Sequence, residues 1–115
     1  MREAVAVDPV PRDFREALAE QYGPVLDRVV LFGSRARGDA GDDSDYDIAV
    51  FLKEAGDLLA EWDRLADLRV RFLDAGGPFI DAIPFRASDY HKRTPLMHEI
   101  RQDGVTLLKP RRPNS

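Results

Sequence analysis

The 115 residues predict an α/β (α+β) domain, a small sheet with helices packed on it. Apolar runs of strand length alternate with segments of helical periodicity, glycine and proline mark the junctions, and a Gly-Ser turn precedes an Asp-x-Asp strand start.

The elements follow in chain order. Asp8-Pro9-Val10-Pro11 predicts a helix start, Phe14, Ala17, Leu18 and Tyr22 recur at helical spacing, and Gly23-Pro24 ends the run. Residues 29–32 form a short buried strand that runs into Gly33-Ser34, with a short helix at 34–37. A second strand spans 46–52. Asp57 is suited to cap a long helix whose Leu58, Leu59, Trp62, Leu65, Ala66, Phe72 and Leu73 make a wide apolar face. Gly76-Gly77-Pro78 stops that helix. Residues 79–85 read as a third strand with Asp81 as its lone charge. Thr94-Pro95 is a good cap and first residue for a short helix ending at Gly104, and 105–108 predicts a fourth, edge strand before the basic tail Lys109-Pro110-Arg111-Arg112-Pro113.

Composition narrows the functions available. Hydrophobic content of 43% and charged content of 33% fit a folded domain with a polar surface, and the length allows one core. A net charge of -4 argues against a sequence-independent nucleic-acid binder. No cysteine is present, so disulfides and thiolate metal sites are excluded, and His91 and His98 lack zinc-ligand company. No apolar run reaches membrane-spanning length, and residues 1–4 lack the start of a signal peptide, which makes the cytoplasm the expected location.

Chemistry concentrates around Asp45 and Asp47. Side chains alternate along a strand, so these two carboxylates share a face while Tyr46 takes the other. Held together they repel, which raises a pKa unless a cation intervenes; a divalent metal is implied. Gly33-Ser34 is either a plain strand-to-helix turn with Ser34 as cap, or a place where backbone N–H groups hold a phosphate. Arg35 and Arg37 add charge beside it or are simply solvated. Asp39, Asp42 and Asp43 allow an ordinary acidic turn as the competing reading. Asp81, inside an apolar run, must be paired, bound to metal, or set on an open strand face. Tyr22, Trp62 and Tyr90 are core residues or base-stacking platforms. A calcium loop over Asp43, Asp45, Asp47 and Glu54 is rejected, because Ile48 stands where the sharp turn needs glycine.

Gly33-Ser34, then Asp45-x-Asp47 ten residues on, with Asp81 on a later strand, resembles the polymerase β-type nucleotidyltransferase superfamily. Within it, the short chain and the segment from Thr94 to Leu108 resemble the minimal nucleotidyltransferase (MNT) domains found beside HEPN toxins. The likeness covers residues 28–108. It implies a small mixed sheet flanked by helices, a nucleotidyltransferase-like palm, with the whole chain (1–115) as one minimal domain. Two Mg²⁺ ions would be held by Asp45, Asp47 and Asp81, which are also the implied catalytic residues, and the nucleotide would be held by Gly33, Ser34 and Arg35. The implied reaction moves AMP from ATP to a tyrosine hydroxyl of a HEPN-type toxin, silencing it within a hetero-oligomer. Two alternatives remain: an antitoxin that works by binding alone, and a transferase acting on a small molecule of the aminoglycoside type.

Overall fold

A computed structural model describes residues 8–39, 41 and 45–110. Residues 1–4, Asp42, Asp43 and the tail residues Arg111, Arg112 and Pro113 lie outside them. Helix α1 (Pro9–Tyr22) starts where Asp8 accepts a 3.0 Å hydrogen bond from the Val10 N–H, and ends at Gly23, whose φ of 56° is open to glycine. A 3₁₀ turn (Gly23–Val25) leads into strand β1 (Leu26–Phe32). Helix α2 (Ser34–Arg37) and strand β2 (Tyr46–Leu52) follow. Helix α3 (Leu58–Asp74) is capped by Asp57, which accepts from the Leu59 N–H at 3.0 Å. Strand β3 (Ile80–Arg86), a second 3₁₀ turn (Ala87–His91), helix α4 (Pro95–Asp103) and strand β4 (Val105–Leu108) complete the order.

The sheet runs β3-β2-β1-β4 and is mixed. Its β1 strand is antiparallel to both β2 and β4, whereas β2 and β3 are parallel. Parallel neighbours need a crossover, and α3 supplies it. As expected, β4 is an edge strand. β3 is the other edge, where Pro84 is tolerated because the missing N–H costs least there.

One sheet face carries Val29, Leu31, Ile48, Val50, Leu52, Ile80 and Ala82, covered by Phe14 and Leu18 of α1 and Leu65 and Leu68 of α3. On the other face, Val30, Phe32, Ala49 and Phe51 pack against Met97 and Ile100 of α4, with Phe85 and Tyr90 alongside. That second cover is short. Met97 and Ile100 are buried in this cluster, whereas Asp47, near the β2 start, is only partly buried.

Three expectations change. β1 begins at Leu26, three residues early, because a register shift between Leu26 and Arg28 lets the strand accommodate Asp27 and Arg28. Arg28 then stacks its guanidinium 3.7 Å from the Tyr90 ring centre. β3 begins at Ile80, since Phe79 offers only its carbonyl, which accepts from the Tyr46 N–H at 3.1 Å. The third change is in α3. Leu65 and Leu68 face the core, but Leu59, Trp62 and Leu73 are exposed. Leu59 and Leu65 lie about 120° apart around a helix, so one face cannot bury both. Trp62 is therefore not a core residue. Glu61 is buried in its place, bound to Arg64 at 2.8 Å. Burial first, and then Glu61, push the Tyr22 hydroxyl up to about 12.

Gly104 ends α4 for steric reasons. A Cβ there would strike the Ile100 carbonyl oxygen and come within 2.5 Å of Val30 Cγ1. Among the described residues no helix is long and apolar enough to cross a membrane.

Candidate active site

The face covered by α4 receives Asp47 and Asp81. Asp47 has the parity of Ala49 and Phe51, so it points to the α4 side, away from Tyr46. In the parallel ladder Asp47 stands directly opposite Asp81, and in the antiparallel ladder it stands opposite Phe32, the residue before Gly33. Directly opposed side chains are about 5 Å apart at Cβ. The register thus brings together two carboxylates 34 positions apart in the sequence. Asp45, two residues before Asp47, is exposed just outside the strand, and its charge acts on Asp47.

Gly33 closes the other side. Its φ of 77° and ψ of -158° lie in a region essentially reserved for glycine, and a Cβ there would run into the Asp47 carboxylate. Its carbonyl accepts the N–H groups of Ala36 and Arg37, both at 3.1 Å, which winds α2 tightly behind it. Ser34 is the first residue of that helix, and Gly38 ends it with a φ of 84°.

Asp47 titrates high. Burial is the largest cause, followed by the charges of Asp81, Asp45 and Glu99, while Arg37 opposes the rise. The repulsion expected from the Asp-x-Asp spacing is therefore present, with Asp81 contributing more than Asp45. Glu99, on α4, is an acid that sequence reasoning missed. It lies 52 positions from Asp47, and only packing of α4 under the sheet brings it near. Arg37 bridges the two sides, 3.5 Å from Glu99 and 3.4 Å from Asp39.

Arg35 goes elsewhere. Its guanidinium stacks 4.2 Å from the ring centre of Tyr46, on the sheet face opposite Asp47. The Tyr46 hydroxyl donates to Asp8, the cap of α1. Arg35 and Tyr46 thus fasten α2 to the start of α1, and the guanidinium acting on Asp47 is that of Arg37. Asp81 is neither sealed in apolar surroundings nor alone: its side chain is 43% exposed and lies 3.4 Å from Arg69 of α3.

The donor set suits a hard divalent cation, since Asp47 and Asp81 are paired on adjacent strands and the charges of Asp81 and Asp45 both raise the pKa of Asp47. No three His, Asp or Glu side chains among the described residues already converge as a metal cage. A cleft of about 420 Å³ bounded by Gly23, Pro24, Leu26 and Lys53 opens at the far end of β1 from Asp47. It gathers no carboxylate, so the acids, not that cleft, are the candidate site.

Comparison with known proteins agrees with this geometry. The family described as "Polymerase beta, Nucleotidyltransferase" matches residues 16–112. Two relatives from Methanocaldococcus jannaschii are the putative protein adenylyltransferases MJ0604 and MJ0141. They are 36% identical over 72 residues and 42% identical over 43 residues. The matches cover 63% and 37% of this chain, and the chain spans 66% and 43% of those proteins' lengths. Among solved structures, a toxin–antitoxin with AMP-PNP superposes with a TM-score of 0.63 at 25% identity, over 87% of this chain and 74% of that one. A putative nucleotidyltransferase from Sulfolobus solfataricus has the same fold, with a TM-score of 0.63 at 24% identity over 85% and 76%. So does a chain in the complex of a tri-AMPylated Shewanella oneidensis HEPN toxin with its MNT antitoxin, at 0.57 and 23% over 87% and 71%. With a match across most of its length, a Gly-Ser turn against the first strand and aspartates paired across the next two, the chain belongs to the polymerase beta nucleotidyltransferase family.

Proposed function

We propose that this chain is a protein adenylyltransferase that moves AMP from ATP to a tyrosine hydroxyl of a HEPN-type toxin, with pyrophosphate as the leaving group, acting as its antitoxin in the cytoplasm. The observation that carries the reading is the pairing of Asp47 with Asp81 on adjacent parallel strands, with Gly33 pressed against the Asp47 carboxylate. Two relatives named as protein adenylyltransferases, and the AMP-PNP-bound toxin–antitoxin, support the choice of nucleotide and of a protein acceptor.

Each residue then has a task. Gly33 and Ser34 would let the β- and γ-phosphates approach the backbone. Arg37, held between Glu99 and Asp39, would place a positive charge beside the triphosphate. Asp45, Asp47 and Asp81 would hold two Mg²⁺ ions, which supply charge neutralisation for the attacking and leaving oxygens. Asp81, on the edge strand, would face the incoming tyrosine and accept its proton. Asp47, between Gly33 and Asp81, would fix the distance between the phosphates and that hydroxyl.

The test is transfer of label from α-³²P-ATP with Mg²⁺ to a purified HEPN-type partner. Wild type is expected to label it, and Asp45→Asn/Asp47→Asn is expected to fail. Absence of label with wild type, despite a stable complex, would leave an antitoxin that acts by binding. Label moving to an aminoglycoside and not to the protein would overturn the choice of acceptor.

A further inference from the structure

We infer that the outer face of α3 is the docking surface for a basic amphipathic helix of the acceptor protein; the inference rests on the protein-acceptor reading above. Leu59, Trp62, Ala66, Val70 and Leu73 recur at intervals of three and four, so they fall on one stripe of the helix. Leu59 is 76% exposed, Val70 54%, Leu73 50% and Trp62 42%. This stripe is separate from the core stripe of Leu65 and Leu68, so burying it stabilises nothing within the fold. A helix with two apolar stripes, one of them open to water, has a surface to cover.

Charge states what covers it. Asp63, Asp67 and Asp74 are exposed and lie together along one flank of the stripe, about 40–80° round the helix from Leu59. A second copy of α3 packed antiparallel would set like flank against like flank, placing these aspartates against their own counterparts, in a chain of net charge -4. A helix with leucine-type residues in its seam and lysine or arginine beside them meets both features. The other flank of the stripe carries Arg69, whose guanidinium reaches Asp81 at 3.4 Å and lies 5.6 Å from the ring centre of Phe79, itself half exposed. A helix seated here lies against the β3 edge, next to the acid proposed to receive the tyrosine proton. Docking and chemistry would then share one edge of the sheet.

Trp62 is the sole tryptophan, so its emission reports directly on the stripe. The experiment titrates the full chain with two designed helical peptides matched to the 17 residues of α3. Both carry leucine in the seam; one has lysine and the other glutamate at the flanks. The lysine peptide is expected to shift Trp62 emission to the blue and to bind about three- to tenfold tighter, the factor that three ion pairs of ordinary helix strength supply. Leu59→Glu/Leu73→Glu should remove the shift, and Asp63→Lys/Asp67→Lys should reverse the preference. Equal affinities, or no shift with either peptide, would overturn the inference. So would sedimentation showing that the chain alone dimerises and that Leu59→Glu/Leu73→Glu makes it monomeric. The thermal shift with AMP-PNP should be the same for Leu59→Glu/Leu73→Glu as for wild type, while label transfer to the HEPN-type partner falls through a higher KM. If wild type transfers no label yet binds the lysine peptide through this stripe, the catalytic reading fails and the docking surface stands.

Discussion

Gly33→Ala tests the core of the site with one methyl group. The backbone at Gly33, with φ 77° and ψ -158°, costs an alanine about 1–3 kcal/mol in conformational strain. A domain of this size loses roughly 4 °C of Tm per kcal/mol, so strain alone lowers Tm by about 4–12 °C. The new Cβ also drives into the Asp47 carboxylate, which must turn away from Gly33. Displacing a positioned group by about 1 Å costs on the order of 100-fold in rate. Gly23→Ala is the matched control: its φ of 56° is strained too, but no atom lies within 4 Å of the added Cβ. Gly23→Ala should lose stability and keep activity, whereas Gly33→Ala should lose both. In an Asp47→Ala background the penalty of Gly33→Ala should shrink to the strain alone, and the difference between backgrounds is the contact itself. Thermal melts of the four combinations and label transfer to the HEPN-type partner provide the readings. A Gly33→Ala protein with unchanged Tm and transfer within about twofold of wild type would refute both the steric argument and the site built on it.

The other predictions concern charge. Ionised Asp47 is costly in the native state, because its pKa there lies above the unfolded value; the penalty acts at neutral pH and is relieved as pH falls through the native pKa. Asp47→Asn should therefore raise Tm at pH 7 and raise it less at pH 4, while abolishing transfer. Burial and then the Asp8 carboxylate push the Tyr46 hydroxyl up to about 12, so the stability it contributes is intact below the unfolded tyrosine pKa and is lost as pH rises through 12. Tyr46→Phe should cost about 1–3 kcal/mol in urea melts at pH 7 through the lost bond to Asp8, and it should flatten the alkaline decline. Arg37→Ala should raise the KM for ATP by about tenfold, as expected from losing one charge-assisted contact. Arg35→Ala, which removes the stack on Tyr46, should lower Tm and leave that KM nearly unchanged.

What the sequence determined by itself was local. Asp8-Pro9, Asp57 and Thr94-Pro95 start helices, and Gly23-Pro24 stops one, because each cap bonds a backbone group within four residues of itself. The strand at 46–52 and the opposite faces of Tyr46 and Asp47 follow from a two-residue period that needs no partner. Other features depended on how the pieces pack. The 3₁₀ turn at Ala87–His91 has no periodic signal of its own. In α3, seven apolar residues read as one face, and only the position of the sheet decides that Leu65, with Leu58 and Phe72, packs into the core while Leu59, Trp62 and Leu73 stay exposed. Arg35 and Arg37 look equivalent in the chain, yet one stacks on Tyr46 and the other acts on Asp47, since α2 turns them to opposite sides of the sheet. The same holds for the acids. That Asp81 faces Asp47, that Glu99 adds to its charge and that Arg69 engages Asp81 are consequences of a parallel register and of two helix dockings. Caps and strand alternation are short-range chemistry and can be read along the chain. Which distant charges meet is set by the one packing that buries both faces of the sheet, and no run of neighbouring residues encodes it.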